Sequence, residues 1–442
     1  MVRKYSSSVG KSATIEGMRR PTDGKTVVSA ALLILVSTSL AYAFDYGLVV
    51  ENETSSTFVE DQDAELGQQN DALLFVRQDL TEDIEALFRF RYRYTDEDPL
   101  FWEIDSLAVQ GAAREGEDTV VDMALGRTTL SDFSGALISE QADLLRWGIL
   151  RPNISLTLKA AYLGLRRNES TTLALSTADL EDDTDEAFFA PPRGILGFEV
   201  GFPEQLGRQN LLLGAYYQHD FRQDDAPRVN TAYFGGGLLG PLSRFVFYDV
   251  FGYFATGFVE DDSGGRDPLA AWYTGGGILI FIEEALFSRI QSRFVYASGD
   301  SDYQSPVGLN SSGVGTGFPA VSSPTLGEVV SPRVSNVGGG SLSYSFKPFA
   351  NGGLVLSEFQ VAATGWAFFR STSGPLAIPG TTTGGSDSFL GWEADVALRF
   401  RPFSDFALSL SGGFFRRGDT DAWLPGAPEW QAVAKLFGAL SL

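Results

Sequence analysis

Arg89, Arg91 and Arg93 recur at every second position in EALFRFRYRY, with Ala86, Phe88, Phe90, Tyr92 and Tyr94 between them. Spacing of two puts residues on one face of a β-strand, so three guanidinium groups and Glu85 stand opposite an apolar, aromatic face. Planar forks in a row grip carboxylate, sulfate or phosphate. The same parity within neighbouring period-two segments selects Arg77, Lys159, Arg289, Arg293, Arg399 and Lys435. It also turns Glu103, Asp105, Asp122, Glu358, Glu393 and Asp395 to that side. Two readings therefore stand open: a cationic wall that attracts anions, or a set of cross-strand pairs that braces the sheet.

Other chemistry finds little support. There is no Cys and a single His, His219 in YYQHD, so a thiolate nucleophile is absent and a Ser-His-acid hydrolase would have to draw on His219 with Ser292 or another Ser. No spacing selects such a partner. The glycine-rich GVGTG at 313–317 lacks the Lys of a phosphate loop. Acidic runs at 181–186 (EDDTDE), 224–225, 260–262 and 299–302 match no spaced calcium loop; they read as solvated surface, with bridging of divalent cations to lipid head groups as the other reading. No enzyme activity, cofactor or metal is expected.

The elements that would position these residues follow from the whole chain. It has 442 residues, 44% of them hydrophobic, 13% aromatic, and a formal charge of −23. That charge excludes nucleic acid, whose binding needs a basic stripe. After the first residues no apolar run approaches the roughly 20 residues of a spanning helix. Near the start, Lys25 precedes the apolar run Val27 to Leu40, which ends in Ala41-Tyr42-Ala43. This is the pattern of a signal peptide over 1–43, with translation beginning at Met18 as a further expectation and an N-terminal anchor helix as the competing reading. Residues 44–442 would then form one domain.

That domain reads as eighteen period-two segments, sixteen being the neighbouring even count. They lie near 45–52, 71–79, 82–95, 100–112, 118–129, 142–150, 153–167, 193–203, 210–222, 228–240, 243–259, 268–281, 286–299, 338–347, 353–370, 389–401, 405–417 and 429–442. Connections after even segments are short, as in RPN at 151–153 and PFSD at 402–405. Every long connection follows an odd one: 53–70, 168–192, 300–337, 371–388 and 418–428. One rim of turns and one of loops is the layout of a closed antiparallel transmembrane β-barrel, and a soluble sandwich has no reason to obey it. Aromatic residues on the apolar faces, as in Phe294-x-Tyr296, fit interfacial girdles. Lipid would lie outside Trp392 and Leu398, and water inside Glu393 and Asp395.

GWEADVALRFRPFSDFALSLSGGFFRRG at 391–418, YASGDSD at 296–302 and LGRTTLSDFSG at 125–135 resemble the alginate-export-like family of porin-type outer-membrane channels. The resemblance implies eighteen strands and passive passage of polyanionic sugar. Leu442 departs from the aromatic residue on which such proteins usually end. In large porins the third long-rim loop commonly folds into the lumen; by that likeness Asp132, Phe133 and Glu140 of the oddly apolar loop 131–141 would form a constriction, the alternative being a loop packed over the barrel mouth.

The expectation is therefore an outer-membrane channel for passive diffusion of small polar solutes, anionic ones and oligosaccharides among them. Its partners would be outer-membrane lipid, the barrel-assembly machinery and the solute. Residues 44–70 are too few and too acidic for a plug. The alternatives are a barrel for hydrophobic compounds, which would want an apolar lumen, and an adhesin acting through its long loops.

Overall fold

The computed structural model describes residues 44–96, 99–179, 187–222, 228–322, 324–353 and 355–442. The leader reading of 1–43, the EDDTDE run and Asp224-Asp225 lie outside them. Phe44–Leu442 forms one compact unit.

Twenty strands follow in order: β1 (Phe44–Val59), β2 (Glu65–Asp79), β3 (Ile84–Thr95), β4 (Phe101–Arg114), β5 (Val120–Ser131), β6 (Ser139–Arg151), β7 (Ile154–Tyr162), β8 (Arg193–Leu206), β9 (Gln209–Asp220) and β10 (Thr231–Pro241). Then come β11 (Val246–Glu260), β12 (Arg266–Ile282), β13 (Ser288–Ala297), β14 (Tyr303–Ser305), β15 (Gly308–Asn310), β16 (Val337–Phe346), β17 (Phe359–Arg370), β18 (Phe389–Phe403), β19 (Phe406–Arg417) and β20 (Trp430–Ser441). The short β14–β15 pair is a hairpin of its own within the loop 298–336. The other eighteen form one antiparallel sheet in which each strand pairs with the next. β1 closes on β20 from Val49 opposite Ser441 to Val59 opposite Gln431. Closure leaves no edge, which a bilayer requires because lipid cannot satisfy unpaired backbone groups.

The faces separate as the alternation demands. Leu74, Trp102, Leu125, Leu145, Leu196, Phe234, Trp272, Leu342, Val396 and Leu410 are exposed on the outside all round the barrel. An apolar belt of that extent is stable only against hydrocarbon. Among the described residues no helix is long and apolar enough to cross a membrane, which says nothing against crossing by strands.

Loop parity holds, with two shifts. The expected loop 53–70 shrinks to 60–64, because β1 and β2 keep pairing through ENETSST to Thr57 opposite Glu65. Polar residues above a membrane band still make ladder hydrogen bonds, and polarity alone reads as loop. The segment expected from 153 to 167 ends at Tyr162, and the one expected from 353 begins at Phe359, after a 3-10 turn over Leu356–Glu358. That turn moves Glu358 from the wall to the short-turn rim, where Lys347 binds it at 3.0 Å.

Inside, inward-facing wall residues and the long-rim loops share two apolar clusters. The larger joins Leu137 and Ile138 of loop 132–138 and Phe318 and Val321 of loop 298–336 to Tyr233, Tyr253 and Tyr273 of the wall. The smaller joins Leu326 and Val330, Leu376 and Ile378, and Ala422 and Trp423 to Phe368, Leu390 and Phe415. Loops that bury apolar side chains against a barrel's inner wall fold inward rather than standing in water.

Candidate functional site: the lumen and its inward loops

The arginine row divides into a braced part and a free part. Arg91 bonds Asp105 at 2.9 Å and Asp71 at 3.0 Å, and Arg93 bonds Asp71 at 2.9 Å. Arg93 also lies 5.2 Å over the Phe101 ring. A bulge makes this possible: Arg89 faces Ser106 and Phe90 faces Ile104, so Asp105 is the extra residue, re-aimed toward the lumen. Glu103, its expected companion, is instead buried against Arg166 at 3.4 Å. Asp71 shares parity with Arg77, which is the signal that could have found it. Arg91 and Arg93 are thus corrected from solute-facing cations to ion-paired braces.

Arg89, Arg293 and Arg399 are exposed, and none makes an ion pair among the described residues. All three sit on inward positions, Arg89 and Arg293 near the middle of β3 and β13 and Arg399 toward the short-turn end of β18. Arg289, nearer that rim, donates to Gln291 at 2.8 Å. Arg77 pairs with Glu85 at 2.6 Å, Arg146 with Asp122 at 3.1 Å and Lys435 with Glu328 at 2.9 Å. Lys159 reaches Glu199 at 2.5 Å and the carbonyl of Ser131 at 2.6 Å, tying the wall to the third long-rim loop. Glu51 and Glu53, inward on β1 opposite Asp71 and Gln69, carry no ion pair among the described residues. Ending the first segment at 52 left Glu53 in a loop, and Glu51, inside that segment, was not singled out.

The third loop does enter the barrel. Asp132 accepts the backbone N–H groups of Ser134 (2.8 Å), Leu137 (3.0 Å) and Ile138 (2.7 Å), and the Tyr253 hydroxyl besides. Phe133 stacks on Tyr253 at 5.2 Å, and its N–H donates to the Tyr216 hydroxyl at 3.1 Å. The ring lies where side chains on Gly214 and Gly237 would stand, 2.9 and 2.8 Å from their would-be Cβ atoms, so these two inward glycines make room for it. Glu140 departs from expectation: it is buried, paired with Arg166 at 2.9 Å and hydrogen-bonded by Thr172. It holds loop 163–192 in place and does not face open lumen. Ser139 N–H donates to Ser322 Oγ at 2.7 Å, which joins the third loop to loop 298–336.

Glu393 also departs from the open water expected around it. Its carboxylate is 1% exposed and accepts the N–H groups of Glu328 at 2.5 Å, Val329 at 2.9 Å and Val330 at 2.9 Å. Asp395, two residues on, is half-buried, and its Oδ1 has no hydrogen-bond donor among the described residues. His219, on β9, lies beside two rings, at 4.8 Å to Phe221 and 6.2 Å to Tyr217; Ser292 lies on β13, across three intervening strands.

Above the wall, carboxylates fasten the long-rim loops. Burial raises the pKa of Asp179, but Arg193 at 2.7 Å and Arg222 outweigh it and hold the carboxyl below the usual carboxylate range. Asp421 is held low by the N–H groups of Ser386 and Asp387, both at 2.8 Å, linking loops 418–429 and 371–388.

No family model and no curated protein matches this chain. Solved structures do. The Pseudomonas aeruginosa proteins OccK5 (OpdH) and OccK8 (OprE) align over 90% of this chain and 98% of theirs, with TM-scores of 0.55 and 0.56 at 11% and 12% identity. OccK2 (OpdF) in complex with glucuronate, from the same organism, aligns over 90% and 98% with a TM-score of 0.55 at 13% identity. At that identity the likeness is one of fold, a large closed barrel matched almost end to end.

Proposed function

We propose that the chain is an outer-membrane channel through which small polar solutes, carboxylates among them, diffuse passively. The observation that carries this reading is the set Arg89, Arg293 and Arg399: three exposed cations without carboxylate partners among the described residues, facing inward from separate parts of a barrel whose outer face is apolar. Fixed cations in a water-filled lumen concentrate anions and offer them bidentate hydrogen bonds. The glucuronate in OccK2 (OpdF) belongs to that protein; a solute of similar chemistry suits these guanidinium groups. The alginate-export-like reading gains no continuous basic track, since Arg91 and Arg93 are committed to Asp71 and Asp105. Charge along β1–β4 also weighs against hydrophobic compounds.

The third loop, through Asp132 and Phe133, is the proposed constriction. Residues 1–43 are the proposed leader, and outer-membrane lipid and the assembly machinery the proposed partners. Purified protein in planar bilayers tests the reading. Steady ion conductance is expected, together with entry of a monomeric sugar acid into liposomes that contain the protein. Folded, inserted protein that conducts nothing, both in the parent and in variants whose inward loops are loosened, would end it.

A further inference from the structure

We infer that Glu393 is a positioning residue: it holds residues 326–330 of loop 298–336 as a strap against the β18–β20 wall, and loss of this hold widens the channel. The inference rests on the channel reading above and adds to it what sets the bore.

Three successive N–H groups converging on one anion form a nest, and here the anion is a side chain of the wall. The fit is close on both sides. A Cβ on Gly327 would lie 2.7 and 2.9 Å from the two carboxylate oxygens of Glu393, and one on Gly413 would lie 2.7 Å from Val329 Cγ2. Glu328 then reaches Lys435 on β20 at 2.9 Å, while Leu326 and Val330 pack with Leu390 and Phe415. The strap thus stretches from the loop to three adjacent strands.

The contact is two-sided in energy as well. A carboxylate buried as deeply as Glu393 is tolerable only while the nest satisfies it, and the three N–H groups need an acceptor in return. Neither obligation persists once the strap lifts, because lumen water then solvates both. Closure has an opposing cost: the Oδ1 of Asp395 beside it is shut away without a donor among the described residues. A hold whose backbone hydrogen bonds all converge on one side chain, opposed by a stranded oxygen, is the property of a fastening that can open.

Single-channel conductance of the full chain in planar bilayers tests this. Glu393→Ala should keep the heat-modifiable gel migration of a folded barrel yet show larger open conductance and pass solutes that the parent excludes. Gly327→Val attacks the same contact from the loop, away from the barrel wall, and should give the same gain even if the first variant fails to assemble. Val329→Cys with Gly413→Cys, added to either variant in this cysteine-free chain, should restore the smaller conductance when oxidised and lose it on reduction. An open parent whose conductance neither Glu393→Ala nor Gly327→Val changes overturns the strap and leaves the channel reading standing. A closed parent opened by Gly327→Val supports the strap. Silence of parent and both folded variants sinks the channel reading and the strap with it.

Discussion

Asp71 stands directly opposite Arg93 on the β2–β3 ladder, and its two oxygens serve Arg93 and Arg91 at once. With Asp105 holding Arg91 from the other side, two carboxylates remove two cations from the lumen's field. Asp71→Asn should return one net positive charge, chiefly at Arg93: reversal potential across a salt gradient should move toward anion preference, with a stability loss of about 1–3 kcal/mol for a buried partner removed. Unchanged selectivity in a folded variant would show that the pair does not face the conducting path.

The free cations should behave differently. Replacing Arg89, Arg293 and Arg399 together with Gln is expected to lower anion preference most at low ionic strength, where the Debye length is about 30 Å at 0.01 M. Denaturant midpoints should hardly move, since exposed charges contribute little to stability. A large loss of stability with intact selectivity would reverse the assignment of brace and field.

The membrane face admits a direct comparison of neighbours. Val396 is 51% exposed on the outside, whereas Ala397 faces inward opposite Ala362 and Ser411. Val396→Arg should cost roughly 2–4 kcal/mol in barrel stability, the depth-dependent cost of a charge at the lipid face. Ala397→Arg should be mild. Equal tolerance in a lipid refolding assay would contradict the assigned faces.

Topology follows from loop parity. An epitope placed at Gly384, in loop 371–388, should bind antibody on intact cells, and one at Ser404, in the β18–β19 turn, only after the membrane is broken. Labelling of the Ser404 epitope alone would turn the barrel over.

Acid should loosen loop 163–192 before the barrel. Because Asp179 is held below its ordinary pKa, its stabilisation is fully present above the ordinary carboxylate range and is lost as pH falls through the depressed value. Asp179→Asn should then give, at neutral pH, the proteolytic sensitivity in this loop that the parent shows only in acid. A protected loop in Asp179→Asn would mean that Arg193 finds sufficient partners in Asp220 and the loop backbone.

Strands and rims were legible because period two and turn residues are local properties. The ladder at Arg91 and Arg93 was half-legible: alternation named its face, but a bulge no spacing announces brought in Asp105, and Asp71 came from the strand before. Glu393 and Glu140 were misplaced for a different reason. Their partners, Glu328 to Val330 in one case and Arg166 and Thr172 in the other, lie on loops whose inward course depends on burial against distant strands. Asp132 shows both limits, since its turn is local and its bond to Tyr253 is not.

The seam between β1 and β20 has a kinetic meaning. Every other pair of neighbouring barrel strands is adjacent in sequence or separated by one loop, so those contacts form at short or moderate chain separation. The seam alone joins Glu51 to Ala439 and Thr57 to Val433. Closing so long a loop is entropically the hardest contact and must come after much of the sheet has formed. Until it does, β1 and β20 are two open edges that can pair with strangers. Assembly therefore has a vulnerable interval that ends only when the last strand finds the first, and a chaperone that shields one edge would act there with the greatest effect.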